Sequence, residues 1–268
     1  MSPRSSPGSP ARPPGRPGSR RDAPRRTLTG ALAVIAKEPV AGAAKTRLIP
    51  ALGPDGAARL AAAMLADTLT MVRSVGASPW LCFTPAPARA RLARLAPGFS
   101  LLPQGGGDLG DRLAACLDRL LQTQPPGGGR AAIVGADTPH LPAARCRQAL
   151  ALLDHADLVL GPALDGGYYL VAVRTSWPEL FAGVPMGTDR VLQATLDRAA
   201  RLGLRVALLP ALRDLDRVED LHAALEGGEL DRAPRTRAAA WELLAAAPGH
   251  GRGLCDGAGA LSARGSSR

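Results

Sequence analysis

The sequence predicts a three-layer α/β/α domain built around a mainly parallel, mixed sheet. Short apolar runs of strand length alternate with helical segments of roughly 10–20 residues, the pattern of parallel strands joined by crossover helices. The runs, such as Ala31–Ala36 and Ala131–Val134, are apolar throughout, so both faces of the sheet are expected to be covered. Polar, glycine-bearing loops follow directly after several of these runs, at the carboxyl edge where open α/β sheets bind ligands.

Ala31–Ala36 is the first strand. Asp55 to about Ser74 is rich in Ala, Leu and Met at helical spacing and is started by Pro54-Asp55. Trp80–Thr84 reads as a strand, and Ala88–Ala96 as a short helix stopped by Pro97-Gly98. Ser100–Leu102 is a strand. Leu109–Leu121 is a helix ended by Gln124-Pro-Pro-Gly-Gly-Gly129, with Asp108 as its N-cap. Ala131–Val134 is a strand, Pro142–Leu153 a helix, and Leu158–Leu160 and Tyr168–Val173 are strands. Asp189–Leu202 is a helix, Arg205–Leu209 a strand, and Val218–Leu225 and Arg235–Ala246 are closing helices.

Residues 1–27 and 248–268 are Pro/Ser/Gly/Arg-rich and read as disordered tails, which leaves 28–247 as the folded domain. Aromatic residues are only 3% of the chain, so the core must be built from Leu, Val and Ala. The net charge of +10 suggests a polyanion partner until it is located. The N-terminal tail holds seven arginines against one aspartate, and the C-terminal tail three against one. The body is therefore nearly neutral, which argues against nucleic acid as its partner. No apolar run approaches the roughly 18 residues of a membrane span. Arg25-Arg26 before Leu28–Ile35 resembles a twin-arginine export signal, but the run is short and fits a buried strand, so a cytoplasmic location is expected. Cys82, Cys116, Cys146 and Cys255 show no zinc-binding spacing and read as free thiols. No Gly-x-Ser-x-Gly or Ser-His-Asp arrangement points to a hydrolase.

The first chemical loop is Ala36-Lys-Glu-Pro-Val-Ala-Gly-Ala-Ala-Lys-Thr-Arg-Leu48. Lys37, Lys45 and Arg47 bring three cations together, and Gly42 permits close backbone approach. The chain has only two lysines, and both lie here. A compact ammonium contacts phosphate as a point charge, unlike the planar guanidinium fork. The loop is read as a phosphate grip, although it lacks Walker spacing. The second loop, Ile133-Val-Gly-Ala-Asp-Thr-Pro139, sets Asp137 at a strand end, where one carboxylate can hold a divalent ion on a diphosphate. The third is Gly161-Pro-Ala-Leu-Asp-Gly-Gly-Tyr-Tyr169. Asp165-Gly166-Gly167 is either a plain hairpin turn or an acceptor site whose glycines admit substrate against bare backbone. Tyr168 and Tyr169 should point to opposite faces. In the fourth, Arg213-Asp-Leu-Asp-Arg-Val-Glu-Asp220, Asp216 is either a helix cap or a second metal ligand. Gln104, ahead of Gly105-Gly-Gly107, is in position to reach a base or sugar. Of the histidines His140, His155, His222 and His250, only His140 lies near this presumed site.

Together these blocks resemble the bacterial glycosyltransferase-like family named for arsenosugar biosynthesis, catalogued as a domain of unknown function. They are Lys37–Leu48, Gly107–Arg112, Gly135–Pro139, Gly161–Leu170 and Asp214–Asp220, in order over roughly residues 31–225. The resemblance implies the nucleotide-diphospho-sugar transferase fold, GT-A, shared with the molybdenum-cofactor and phospholactate guanylyltransferases. It also implies a nucleotide-bound donor and Mg²⁺ or Mn²⁺. On this pattern Lys37, Pro39, Gly42, Lys45, Arg47, Gln104, Gly135 and Thr138 bind the nucleotide and its phosphates. Asp137 and Asp216 hold the metal. Asp165, Gly166, Gly167 and Tyr168 meet the acceptor, with Asp165 orienting or deprotonating its hydroxyl. A strict Asp-x-Asp is missing, since Thr138-Pro139 follows Asp137. A two-carboxylate metal site therefore needs Asp216 or Asp165 as well. The expected activity is glycosyl transfer from a nucleotide-sugar to a small-molecule acceptor. Nucleotidyl transfer from a nucleoside triphosphate to a phosphorylated small molecule, or nucleotide-sugar binding without catalysis, are the alternatives.

Overall fold

The structure, a computed structural model, describes residues 30–125 and 129–246. The expected tails, with Leu28, His250 and Cys255, lie outside the described residues. Among the described residues, seven strands form one sheet: β1 (Ala31–Lys37), β2 (Ser78–Thr84), β3 (Ser100–Pro103), β4 (Ala131–Gly135), β5 (Leu158–Pro162), β6 (Tyr168–Val173) and β7 (Val206–Leu208). Their spatial order is β3-β2-β1-β4-β6-β5-β7. All neighbours pair in parallel except β6, which runs antiparallel to both β4 and β5. The mainly parallel, mixed sheet is thus as expected, and each strand lies where an apolar run predicts one.

Among the described residues, seven α-helices flank or close the sheet: α1 (Ile49–Val75), α2 (Arg89–Leu95), α3 (Leu109–Gln122), α4 (Ala143–Leu152), α5 (Val191–Arg201), α6 (Val218–Glu226) and α7 (Pro234–Ala246). Strand side chains alternate between two cores, which makes the three layers. Leu32, Val34 and Ala36 of β1 pack with Leu65, Leu69 and Val72 of α1 and Ala149 and Leu150 of α4. Ala31 and Ala33 face the other way, with Leu113, Leu117 and Leu120 of α3 and Ala199 of α5. A third core joins Leu60 and Met64 of α1 to Leu215, Leu221 of α6 and Leu244 of α7. Cys82, Cys116 and Cys146 are buried free thiols.

Several boundaries shift by one or two residues, and three of the differences have local reasons. The first helix begins earlier, at Ile49, but is broken by Gly53 (φ 70°, ψ 166°); Pro54-Asp55 restarts it, so its long segment begins where the sequence signals. Asp189 precedes α5 by two residues, because Gly187-Thr188 forms a turn before Val191. The last strand is only Val206–Leu208. The chain nevertheless continues along the edge of β5, since Leu209 N–H donates to Leu160 O (2.9 Å) and Leu212 N–H to Pro162 O (3.1 Å). It then crosses over the sheet's carboxyl edge, where Leu215 N–H donates to Asp137 O (2.9 Å). That crossing brings the fourth loop over the second.

Candidate active site

A cleft of about 780 Å³ opens at the carboxyl edge of the sheet. Most of the predicted residues line it: Lys37, Lys45 and Arg47 from the loop after β1; Gln104 after β3; Gly135, Asp137 and Thr138 after β4; Asp165, Gly167 and Tyr168 from the β5–β6 hairpin; and Asp216 from the loop after β7. Pro39, Gly42 and Gly166 are not among the lining residues. Gly42 is exposed, with φ +76°, at the turn that carries the chain from Lys37 to Lys45.

Lys45 is the centre of the ionic network. Its Nζ lies 2.8 Å from Asp137 Oδ1 and 2.6 Å from Asp216 Oδ1, and donates to Leu215 O at 2.8 Å. Its side chain is only 8% exposed. Burial disfavours the ammonium, but the two carboxylates outweigh it and hold the Lys45 pKa above its ordinary value. Lys45 is also the one described non-glycine residue with positive φ (46°), in the left-handed region. The backbone is held there by Lys45 O, which accepts from Leu48 N–H at the start of the helical turn Thr46–Leu48 (2.9 Å). Arg47 Nη1 reaches the other oxygen of Asp216 at 3.0 Å. Burial raises the Asp216 carboxyl, but Lys45 and Arg47 prevail and hold it below the ordinary carboxylate range.

Asp216 is not the cap of α6. The cap position is Arg217, and Asp220 accepts from the N–H groups of Asp216 (3.2 Å) and Arg217 (2.8 Å). The Asp216 carboxylate is therefore free to point into the cleft. Asp137 points at Lys45, while the acidic cluster consists of Asp165, Asp214 and Asp216, whose carboxylate oxygens lie within 4.8 Å of one another. Asp214, which opens the Asp214–Asp220 block, has no role assigned by the sequence. Half-burial, then the nearby charges of Asp165 and Asp216, push its pKa up to about 6. Three hard oxygen donors at this spacing suit Mg²⁺ or Mn²⁺, and crowded carboxylates of this kind are relieved by a divalent cation.

The hairpin answers the two readings of Asp165-Gly166-Gly167. It is a true antiparallel turn, in which Asp165 Oδ1 accepts from Gly167 N–H (2.9 Å). Gly166 does not expose bare backbone to a substrate. It has φ +89°, and a Cβ there would lie 2.1 Å from Asp189 O. Its own carbonyl accepts from Leu192 N–H (2.9 Å), so Gly166 seals the hairpin to the start of α5. The register shifts at Gly161/Pro162, and the extra residue opposite is Tyr169. Its ring lies over Gly161, where a Cβ would be 2.4 Å away, and its hydroxyl donates to Pro210 O (3.0 Å). Tyr168 packs into the opposite core, as the alternation predicts, and burial pushes its phenol up to about 12.

Gln104 lines the cleft, but its amide is already engaged. Nε2 donates to Ala36 O and to Cys82 O, both at 3.0 Å, so the side chain ties the ends of β1 and β2 together. Only Oε1 remains for other partners, with Arg112 Nη1 at 3.5 Å. Arg112 Nε also donates to Asp108 O (3.1 Å), and Arg112 lines the cleft. Asp108 caps α3 in a reciprocal box with Asp111, as expected of the first of these. His140 is buried beside the site, with Nε2 3.7 Å from Glu229; burial outweighs that carboxylate and lowers its pKa.

The chain is similar to several solved structures. A structure of a candidate nucleotide-diphospho-sugar transferase from Desulfovibrio desulfuricans G20 is 31% identical, with a TM-score of 0.74 over 80% of this chain and 96% of that one. The manganese complex of Rv0371c from Mycobacterium tuberculosis H37Rv is 19% identical, with a TM-score of 0.46 over 74% and 98% of the two chains. A CMP:2-keto-3-deoxy-manno-octonic acid synthetase complexed with CTP is 13% identical, with a TM-score of 0.47 over 77% and 99%. No curated protein matches the sequence. No described helix is long and apolar enough to cross a membrane. A bacterial family profile matches residues 42–188, and the chain belongs to that family, described as an uncharacterized protein conserved in bacteria (DUF2064).

Proposed function

We infer that the protein is a divalent-metal-dependent transferase that moves a sugar from a nucleotide-diphosphate donor to a small-molecule acceptor. The observation that carries this reading is the convergence, in one cleft, of Lys45 and Arg47 with the carboxylates of Asp137, Asp165, Asp214 and Asp216. Cations facing clustered acids suit a diphosphate held together with a metal ion. The relative from Desulfovibrio desulfuricans, named as a candidate nucleotide-diphospho-sugar transferase, supports the same class.

Lys37, Lys45 and Arg47 bind the donor's phosphates and stabilise the charge that develops on the leaving nucleoside diphosphate. Asp216, which lies both in the cluster with Asp165 and Asp214 and opposite Asp137 across Lys45, would hold Mg²⁺ or Mn²⁺ together with the carboxylates on either side of it. When bound, the ion neutralises charge on the leaving group as a Lewis acid. Asp165 is exposed at the hairpin tip and orients the acceptor hydroxyl or takes its proton. The finer assignment to an arsenosugar-type glycosyltransferase rests on the motif resemblance alone. A cytoplasmic location belongs to the same reading.

The test is a product screen. Purified protein with Mn²⁺ is offered nucleotide-sugars, then nucleoside triphosphates, each with candidate acceptors. Release of nucleoside diphosphate is expected. Release of pyrophosphate alone would replace sugar transfer with nucleotidyl transfer. Failure of every nucleotide to raise the melting temperature would reject a nucleotide role altogether.

A further inference from the structure

We propose that Lys45 is an exchangeable occupant of the cation position between Asp137 and Asp216, so that a divalent ion enters that position only as the donor's diphosphate draws Lys45 out of it. This deepens, and rests on, the reading of the cleft as a diphosphate site.

The argument begins with the geometry around the ammonium. Nζ lies 2.8 Å from Asp137 Oδ1 and 2.6 Å from Asp216 Oδ1, and a carbonyl, Leu215 O, completes the set at 2.8 Å. Two carboxylates and a carbonyl gathered on one point are the donors a hard divalent ion takes. An ammonium has three protons for these three acceptors, so Lys45 satisfies the set by itself. While it does so, Coulomb repulsion and plain occupancy both oppose a metal ion there.

Charge explains why the exchange needs the diphosphate. Lys45 and Arg47 balance Asp137 and Asp216 in the ligand-free cleft. Pulling Lys45 away without replacement would leave Asp137 unpaired and the three-quarters-buried Asp216 with Arg47 alone, which is costly. A diphosphate gives Lys45 and Arg47 new anionic partners, and a divalent ion then restores the balance at the vacated acids. Each ligand removes the penalty the other would meet alone. That is positive coupling, and by linkage it must be reciprocal. The loop is built to release the side chain. Lys45 sits on a left-handed residue between the exposed turn at Gly42 and the start of a helix. Its side chain can therefore change partners without unravelling a regular element.

Metal affinity, read without turnover, tests this. Mn²⁺ alone is titrated into wild-type protein, Lys45→Met and Lys45→Arg, and free Mn²⁺ is followed by electron paramagnetic resonance. Lys45→Met should bind Mn²⁺ more than threefold tighter than wild type, on the order of tenfold. Lys45→Arg, which keeps a cation, should stay within threefold of wild type. A threefold or smaller gain in Lys45→Met overturns the proposal, as does an equal gain in both variants. A second measurement needs no variant. The chain has only two lysines, so protein labelled with ¹⁵N-lysine gives two Nζ signals. That of Lys45 should shift when Mg²⁺ and uridine or guanosine diphosphate are added together, and much less with Mg²⁺ alone. An unchanged Lys45 signal in the ternary mixture, with nucleotide binding confirmed by calorimetry, overturns the exchange. If neither nucleotide nor any other nucleoside diphosphate binds wild-type protein with Mg²⁺, the reading of the cleft itself fails. Tighter Mn²⁺ binding by Lys45→Met would then still establish Lys45 as the resident cation.

Discussion

Asp137 shows how one carboxylate can matter to the site and little to the fold. Its side chain is 55% exposed and meets Lys45, which keeps Asp216 and Leu215 O if Asp137 is lost. Asp137→Asn should lower metal-dependent turnover by about 100-fold or more while moving the melting temperature by about 2 °C or less. Retained activity in a steady-state assay would remove Asp137 from the mechanism. Asp214 makes a different prediction. Its pKa in the fold, about 6, lies above the ordinary 3.8, so ionisation is what the fold disfavours. The stability this carboxyl contributes is fully present below about pH 4 and is lost as pH rises through about 6, by about 1 kcal/mol after allowance for solvent screening. Asp214→Asn should flatten the melting temperature of metal-free protein across that window. An equally steep profile in the variant would assign the dependence to another group. The lysines and Asp137 were legible in sequence because residue type and spacing mark them. Asp214 was not, because its approach to Asp165 is made by hydrogen bonds of the crossing segment, between residues far apart in the chain.

At the scale of elements, α3 and the β5–β6 hairpin are opposite cases. The cap of α3 is written in adjacent residues. Asp108 accepts from Asp111 N–H at 2.9 Å, and Asp111 returns the bond at 3.1 Å. Asp108→Ala should cost about 1 kcal/mol in chemical denaturation, with an unchanged denaturant slope. The hairpin was legible as a turn, but the purpose of its glycine was not. Gly166 makes room for the backbone of Asp189, a neighbour no local pattern discloses. Gly166→Ala combines a 2.1 Å clash with φ +89° and should lower the melting temperature by about 5 °C. It should also weaken acceptor binding more than donor binding, since the shifted wall carries Asp165. Equal losses for both ligands, measured by calorimetry, would contradict that division. The sequence leaves Asp216 open between helix cap and metal ligand for a similar reason. Asp216 and Asp220 lie within one turn; Asp220 takes the N–H groups of Asp216 and Arg217, and the Asp216 carboxylate goes to Lys45, supplied from across the molecule.

Across the whole molecule, the seven strands and seven α-helices of the described residues were legible in position, most of them because they bury a run or stripe long enough to carry its own period; β3 and β7, which bury no residue, were marked by short apolar runs between helices. The antiparallel β6 was less legible, since strand direction leaves no mark in composition. Its reversal has a chemical effect. It brings the start of a strand, with Tyr168 and the Asp165 turn, to the same edge as the ends of β1 and β4. The near-neutral body fits a cleft whose cations and carboxylates balance, rather than a surface made for a polyanion. The family match itself stops at residue 188, short of Asp214 and Asp216. Two carboxylates of the site therefore come from a part of the chain that the match does not reach.

The segment that crosses from β5 to Asp137 also bears on the order in which the protein is made. Lys45 and Leu215 are 170 residues apart, so the site is among the last contacts a growing chain can form. A released chain ending before residue 213 would contain the sequence of all seven strands, yet Lys45 would lack both Leu215 and Asp216. Such a chain has a core but no finished grip on nucleotide or metal. If the proposed function holds, ligand binding would favour completed molecules, and in a cell rich in nucleotides it would stabilise chains synthesised past this loop.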